Sequence, residues 1–287
     1  MFREETIVTG CKLNLFLFIM GRRENGYHEL STLFVRIPEP HDTLIFRPSR
    51  GEAGFCVRCS EPGLDPLHNT LTRAAALYAE ATGFAPAVEV ELIKGIPPGA
   101  GLGGGSADAA EVLRWLQRFA PRPLNEDVLL NLAVHVGADV PFFLKDGPCF
   151  AEGIGEILHP AKPALENWWG LVLCPFVRVN TAWAYAAWDT ENNAFFLTGE
   201  RKADKNNRSS CQNFYGRNDF EAVVFAAYPE LSALKTLLIQ SGANIAGMSG
   251  SGSSLFGLFR DRTKAAHAAA IMGQEKSVRL VSGPFLF

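Results

Sequence analysis

Gly95-Ile-Pro-Pro-Gly-Ala-Gly-Leu-Gly-Gly-Gly105 is too rich in glycine to form a strand or a helix interior, and it runs straight into a helical pattern. From Ser106 onward, Ala109, Val112, Leu113, Leu116 and Ala120 recur at helical spacing, and Pro121 and Pro123 end the run. Successive glycines let backbone N–H groups approach an anion without interference from Cβ atoms. The helix that follows adds unpaired N–H groups and the positive end of its dipole. Pro97 to Ser106 therefore reads as a cradle for a polyphosphate, with Ser106 able to cap the helix or to turn its hydroxyl to a phosphate or a metal ion. The loop is not a Walker A loop, because no Gly-Lys-Ser/Thr closes it. Nor is it a clean dinucleotide fingerprint, since no strand–turn–helix unit ends in an acidic residue at a suitable distance. A flexible linker is the competing reading. Linkers rarely place Pro-Pro before such a run and an amphipathic helix directly after it.

The rest of the chain bounds what this cradle can serve. With 287 residues and 47% hydrophobic composition, the chain can bury a substantial core as one large domain or two smaller ones. A net charge of −3 supplies no global basic field to recruit nucleic acid or an acidic membrane surface. A bound phosphate compound must then be held by local amides and a few cations. The apolar run Leu13–Met20 falls far short of the ~20 residues a membrane helix needs, so the expected compartment is the cytoplasm. Six cysteines are sparse for this length and argue against a disulfide scaffold. Cys56 and Cys59 form a CxxC pair, but no second pair stands at zinc spacing, so reduced thiols and no metal centre are expected.

Hydrophobic period organises the chain into mixed strands and helices. Residues 11–20 read as a strand with Leu13, Leu15, Leu17 and Ile19 on one face and Lys12 and Asn14 on the other. Residues 30–37 and 42–47 read as two strands parted by a turn at Pro38–Pro40. Helices are expected from Asn69 to Ala81, from Asn125 (as N-cap) to Val136, over Thr181–Trp188, Asp219–Tyr228, Glu230–Gln240 and Arg262–Met272. Strands are expected over Ala87–Ile93, Leu171–Val179, Ser254–Phe259 and Val278–Val281. Residues 189–213 are polar, lack a sustained period and read as a surface insertion or loose loop. Strands and helices mixed in both halves give an α+β class, with a domain boundary near residue 160.

Three further clusters stand beside the loop. Gly137-Ala-Asp139-Val-Pro141 places a carboxylate just past a helix end, where alone it reads as a turn aspartate. Lys12 alone reads as a solvated strand lysine, and Ser249-Gly-Ser-Gly-Ser-Ser254 alone reads as a turn. Their joint occurrence in this order resembles the GHMP kinases, the superfamily of galactokinase, homoserine kinase, mevalonate kinase and phosphomevalonate kinase. Pro97-Pro-Gly-Ala-Gly-Leu-Gly-Gly-Gly-Ser106 is similar to their phosphate loop, and Gly250-Ser-Gly-Ser253 to their C-terminal glycine motif. Other matching segments are Lys12-Leu-Asn14, Gly21-Arg22-Arg23, Gly26-Tyr27-His28-Glu29-Leu30, Ala151-Glu-Gly153-Ile-Gly155-Glu156 and Asn218-Asp-Phe-Glu221. With these segments the chain resembles the branch of that superfamily that acts on a cytidine-diphosphate sugar alcohol.

The resemblance implies a two-domain α+β fold. Residues 1–160 would be like the second domain of ribosomal protein S5, and residues 161–287 would be ferredoxin-like with the polar insertion 189–213. It implies transfer of a phosphoryl group from ATP, as Mg-ATP, to the 2-hydroxyl of the sugar alcohol in the non-mevalonate route to isoprenoid precursors. Asp139 would be the general base, and Lys12 would pair with it and stabilise the transferred group. The ATP phosphates would lie on Pro97, Pro98, Gly99, Ala100, Gly101, Leu102, Gly103, Gly104, Gly105, Ser106 and Ala107. Asn14, Tyr27, His28, Thr181 and Tyr185 would line the acceptor site, His28 on the cytosine edge and Tyr185 as a stacking platform. The expected partners are these small molecules, with neither nucleic acid nor membrane, and the expected state is a monomer or weak homodimer. Two alternatives stay open: another GHMP kinase acting on homoserine or a mevalonate-type alcohol, and a non-catalytic nucleotide binder on the same fold. Cys11 stands where the family usually has alanine before the lysine.

Overall fold

The computed structural model describes residues 2–49, 54–60, 65, 67–192 and 212–287; most of the polar stretch 189–213 lies outside them. Two compact units make up the chain, and each draws on several stretches of it. The first contains Met1–Cys11, Pro40–Pro98 and Gly103–Asp146, and the second Lys12–Glu39, Gly99–Leu102 and Gly147–Phe287.

Two long strands, β1 (Glu5–Arg22) and β2 (His28–Pro48), pair with each other, and each contributes to both units. The expected turn at Pro38–Pro40 is absent, because β2 is a single strand. Its residues Leu30–Phe34 pair with β5 (Cys149–Gly153), and Thr43–Pro48 pair with β4 (Val88–Ile93). The prolines fall between these two registers, where neither β4 nor β5 requires the N–H they lack.

In the first unit, β3 (Phe55–Cys59) runs parallel to β4. Helices α1 (Thr70–Thr82), α2 (Gly104–Phe119), α3 (Glu126–Val136) and the short α4 (Val140–Leu144) pack against one another. Their ends follow the capping residues. The Asn69 side chain accepts the N–H groups of Leu71 and Thr72, and Gly83 closes α1 at φ 71°. The Asn125 side chain accepts the Val128 N–H, with Glu126 and Asp127 in the first turn of α3. The core of this unit includes Phe46 stacked on Trp115, with centroids 5.0 Å apart. Cys56 and Cys59 lie partly exposed on β3 and are not joined in a disulfide.

In the second unit, β5 also pairs with β6 (Ile157–Pro160). A four-stranded antiparallel sheet has the order β10 (Val278–Leu286), β7 (Trp169–Pro175), β9 (Leu255–Phe259), β8 (Ile245–Met248). Helices α5 (Thr181–Glu191), α6 (Glu221–Ala227), α7 (Pro229–Gln240) and α8 (Arg262–Met272) complete it. One apolar cluster joins Leu17 and Ile19 of β1, Leu171 and Leu173 of β7, Trp188, Phe220 and Leu234. Among the described residues, no single helix is long and apolar enough to cross a membrane, and no group of three His, Cys, Asp or Glu residues could hold a metal ion.

Candidate active site

Helix α2 begins at Gly104, with Gly103 as its N-cap in the left-handed region at φ 70°. No side chain caps it. Ser106 therefore sits inside the first turn, its N–H bonded to the Gly103 carbonyl at 3.0 Å, and its hydroxyl is not used as a cap. An uncapped helix start preceded by glycines keeps N–H groups available for an anion. A Cβ on Gly104 would come within 2.8 Å of the Ile96 side chain, so this turn must approach the strand exit closely. On the far side, the Thr70 hydroxyl donates to the Gly105 carbonyl at 2.9 Å. Ala107 is fully buried and its N–H donates to the Gly103 carbonyl at 2.9 Å, so neither its surface nor its N–H is open to a ligand here.

Asp139 is the residue before α4, at the end of the turn that leaves α3. Its side chain does not cap α4, and it is half-buried. The turn packs near the start of α2, since a Cβ on Gly137 would lie 3.8 Å from the Ser106 hydroxyl. The first unit thus brings a carboxylate turn and an uncapped helix start together.

In the second unit, residues Gly99–Leu102 lie on the loop Ser249–Ser254. The Ser254 N–H donates to the Ala100 carbonyl at 3.1 Å, and the Ser249 hydroxyl donates to the Gly101 carbonyl at 3.0 Å. A Cβ on Gly101, at φ +78°, would stand 2.2 Å from the Ser249 carbonyl oxygen, so only glycine fits there. Asn218 ties the serine loop from below by donating to the carbonyls of Met248 and Gly250, both at 2.8 Å. Gly99 has open space where a side chain would project, whereas Ala100 and Leu102 are buried anchors. Pro97 and Pro98 lead in from the first unit.

Lys12 and Asn14 share the polar face of β1 and are both buried. The Lys12 ammonium donates to the Asn14 amide oxygen at 2.5 Å and lies 4.8 Å from the centroid of Phe34. Its backbone N–H donates to the Leu102 carbonyl at 2.9 Å. Asn14 in turn donates from Nδ2 to the Thr32 hydroxyl at 2.8 Å, and its N–H reaches the Ser249 hydroxyl at 3.2 Å. The strand lysine, the glycine segment 99–102 and the serine loop thus form one hydrogen-bonded network.

His28, at the start of β2, is 7% exposed. Its ring stacks on Tyr185 of α5 with centroids 4.5 Å apart and planes 19° apart, and meets Trp188 edge-on. Its Nε2 lies 2.6 Å from Asp189, which also sits 3.4 Å from Arg22. Tyr27 is 59% exposed beside it. Tyr185 therefore places one face on His28, and Tyr27 offers the open aromatic face. The Thr181 hydroxyl, at the first turn of α5, bonds the Ser251 hydroxyl at 2.8 Å.

Sequence reasoning missed Asp189 and a buried ion cluster in the first unit. Lys94, just after β4, bridges Asp42 and Asp108. Asp189 carries no local signal, because only the folded α5 turns it toward His28. Asp108 does carry one. It lies four residues before Val112 on the buried face of α2, where a charge requires a partner.

Comparison with known proteins gives the chain a family. The sequence pattern described as GHMP kinases N terminal domain matches residues 69–147, and that described as GHMP kinases C terminal matches residues 200–278. The chain is 48% identical over 266 residues to the 4-diphosphocytidyl-2-C-methyl-D-erythritol kinase of Nitratidesulfovibrio vulgaris, covering 91% of this chain and 92% of that one. It is 47% identical over 278 residues to the enzyme of the same name from Solidesulfovibrio magneticus, covering 94% and 93%. The chain belongs to the 4-diphosphocytidyl-2-C-methyl-D-erythritol kinase family of GHMP kinases. A crystal structure titled 4-(cytidine 5'-diphospho)-2C-methyl-D-erythritol kinase superposes with a TM-score of 0.75 at 36% identity, covering 94% of this chain and 95% of that one. This family membership agrees with the α+β GHMP fold expected from the sequence and makes the chain an ATP-dependent kinase.

Proposed function

We propose that the protein transfers the γ-phosphoryl group of Mg-ATP to the 2-hydroxyl of 4-diphosphocytidyl-2-C-methyl-D-erythritol, giving the 2-phosphate and ADP in the non-mevalonate route to isoprenoid precursors. His28 carries the choice of acceptor. It is a buried ring held by Tyr185 and Asp189 next to an exposed Tyr27, an arrangement suited to reading the edge and face of a pyrimidine. Homoserine and mevalonate have no base for it to read.

Phosphoryl transfer asks a protein mainly for positioning and charge stabilisation. Glycine amides between Gly99 and Gly105 and the uncapped start of α2 hold the phosphates in this reading, with the Ser106 hydroxyl facing phosphate or its magnesium. Magnesium arrives with ATP as part of the donor substrate. Asp139, not spent on capping α4, accepts the proton of the 2-hydroxyl as the new P–O bond forms. The Lys12 ammonium, aligned by Asn14, stabilises the charge on the transferred group, and Thr181 and Asn14 border the acceptor.

An ADP-release assay on the purified protein, with the diphosphocytidyl alcohol, homoserine and mevalonate offered separately, tests this reading. Turnover is expected with the first alcohol alone. Turnover confined to homoserine or mevalonate would overturn the acceptor assignment. ATP binding without turnover of any alcohol would make the protein a nucleotide binder.

A further inference from the structure

The cluster of Lys94, Asp42 and Asp108 stands apart from every group used above. Its carboxylates are 0% and 1% exposed and the lysine side chain 7%. The Lys94 ammonium donates to Asp42 and, at 2.9 Å, to Asp108. The other oxygen of Asp42 accepts the N–H groups of Gly95 at 2.7 Å and Ile96 at 2.9 Å. Those two residues are the last before Pro97. Asp108 lies in the second turn of α2, whose first turn follows the loop. One ammonium therefore joins the chain entering the glycine loop to the helix leaving it. A Cβ added at Gly104 would also meet Asp42, at 3.3 Å, so the cluster lies directly under the helix start.

Burying three ionic groups is costly, and a hydrophobic trio of similar volume would serve a purely structural purpose as well or better. Two carboxylates share one ammonium, and the second oxygen of Asp108 has no hydrogen-bond partner among the described residues. A cluster with both acids ionised carries a net negative charge beneath a site meant for an anion. We propose that Lys94, Asp42 and Asp108 are positioning residues that fix both ends of the glycine loop, and that ATP binds best when Asp108 carries a proton. This rests on the reading that the loop holds ATP phosphates. Burial pushes the Asp108 carboxyl up to about 7, with Lys94 pulling it down and Asp42 pushing it up, so the proton comes and goes near neutrality. The charged groups facing Asp108 are Lys94, from the residue after β4, and Asp42, from β2.

The test measures KM for ATP and for the acceptor alcohol, with saturating magnesium, at pH 6.5, 7.25 and 8. In the wild type, KM for ATP should rise about threefold to tenfold across this range as the extra buried charge appears. Asp108→Asn keeps the shape and the bond to Lys94 but cannot ionise, so its KM for ATP should be flat. Lys94→Met should raise KM for ATP about tenfold or more and move KM for the acceptor by less than about twofold, with partial rescue in Lys94→Arg. Parallel pH slopes in wild type and Asp108→Asn would overturn the proposal. So would a folded Lys94→Met with the wild-type KM for ATP. If Lys94→Met fails to give a cooperative melt, the Asp108→Asn slope alone decides. A wild type that binds no ATP would instead overturn the reading of the loop.

Discussion

Two lysines with buried side chains, one in each unit, are held in different ways. Lys94 is clamped between carboxylates, and one of these is itself anchored by the backbone N–H groups of Gly95 and Ile96. Lys12 bonds the amide oxygen of Asn14, and that amide continues into the hydroxyls of Thr32 and Ser249. The first network ends on main chain, which cannot turn away without unmaking the fold. The second reaches main chain only through two hydroxyls, Thr32 donating to the Phe16 carbonyl and Ser249 to the Gly101 carbonyl, and a hydroxyl can turn to another partner where a carboxylate fixed by two N–H groups cannot. Burial alone does not separate the two residues, at 4% exposed for Lys12 and a 7% exposed side chain for Lys94. In the mechanism proposed above, the groups at the ends of each network separate a lysine that holds shape from one that acts on the transferred phosphoryl group.

The sharpest break of this comparison is expected at the acting end. Asp139→Asn should lower kcat by about 10²–10⁴-fold, the usual contribution of a general base, with ATP affinity almost unmoved. Wild-type turnover in that variant would remove Asp139 from the mechanism. Lys12→Met should lower kcat by roughly 10²–10³-fold, the scale of one lost charge-stabilising donor, and leave the melting temperature within a few degrees. Lys94→Met should do the reverse in stability. Stranding two buried carboxylates costs about 3–5 kcal/mol, a fall of roughly 10 °C for a chain of this size. Equal melting temperatures for the two variants would erase the distinction between the lysines.

The same contrast explains what could be read from the sequence. The Lys12 network lies on motifs, because its members occupy short runs: Lys12-Leu-Asn14, the glycines before Ser106 and the serines from Ser249 to Ser254. Helix ends were legible wherever a cap was local, as at Asn69, Gly83 and Asn125. The single strand β2 was not, because Pro38 and Pro40 signal a turn locally, and only the pairing with β5 before them and β4 after them shows the strand running through. Strands β3, β5 and β6 are too short to carry a period. The Lys94 cluster and the His28–Asp189 pair were invisible because their members lie up to 161 residues apart and only tertiary packing joins them.

A smaller effect should separate donor from acceptor in the second unit. His28→Ala should raise KM for the cytidine-bearing alcohol about tenfold, the value of one lost charged or well-placed hydrogen bond, with KM for ATP nearly unchanged. Asp189→Ala should follow in the same direction with a smaller rise, because it leaves the imidazole in place and removes only the carboxylate that orients it. Steady-state kinetics with each substrate varied in turn would show the split. An equal rise for both substrates would mean that the pair supports the fold and does not read the base.

The smallest expected effect is in the pH dependence of stability, and it bears on the clamped lysine. Burial raises the Asp108 carboxyl from 3.8 to about 7, so the folded state holds a proton that the unfolded chain has released. The stability from this group is fully present below the unfolded value and is lost as pH rises through about 7. Glu221, also raised by burial but drawn back by Lys235, acts in the same sense and is common to wild type and variant, so it cancels in a comparison. Burial opposes the charge on Lys94, but the two carboxylates outweigh it and raise its pKa further above neutrality, so Lys94 stays charged throughout. The melting temperature of wild type minus that of Asp108→Asn should therefore fall from about pH 4 to about pH 7, by several degrees, and level off above. A constant difference across that range would mean that Asp108 stays ionised in the fold, with Lys94 neutralising it fully, and that Lys94 is held by two fixed charges.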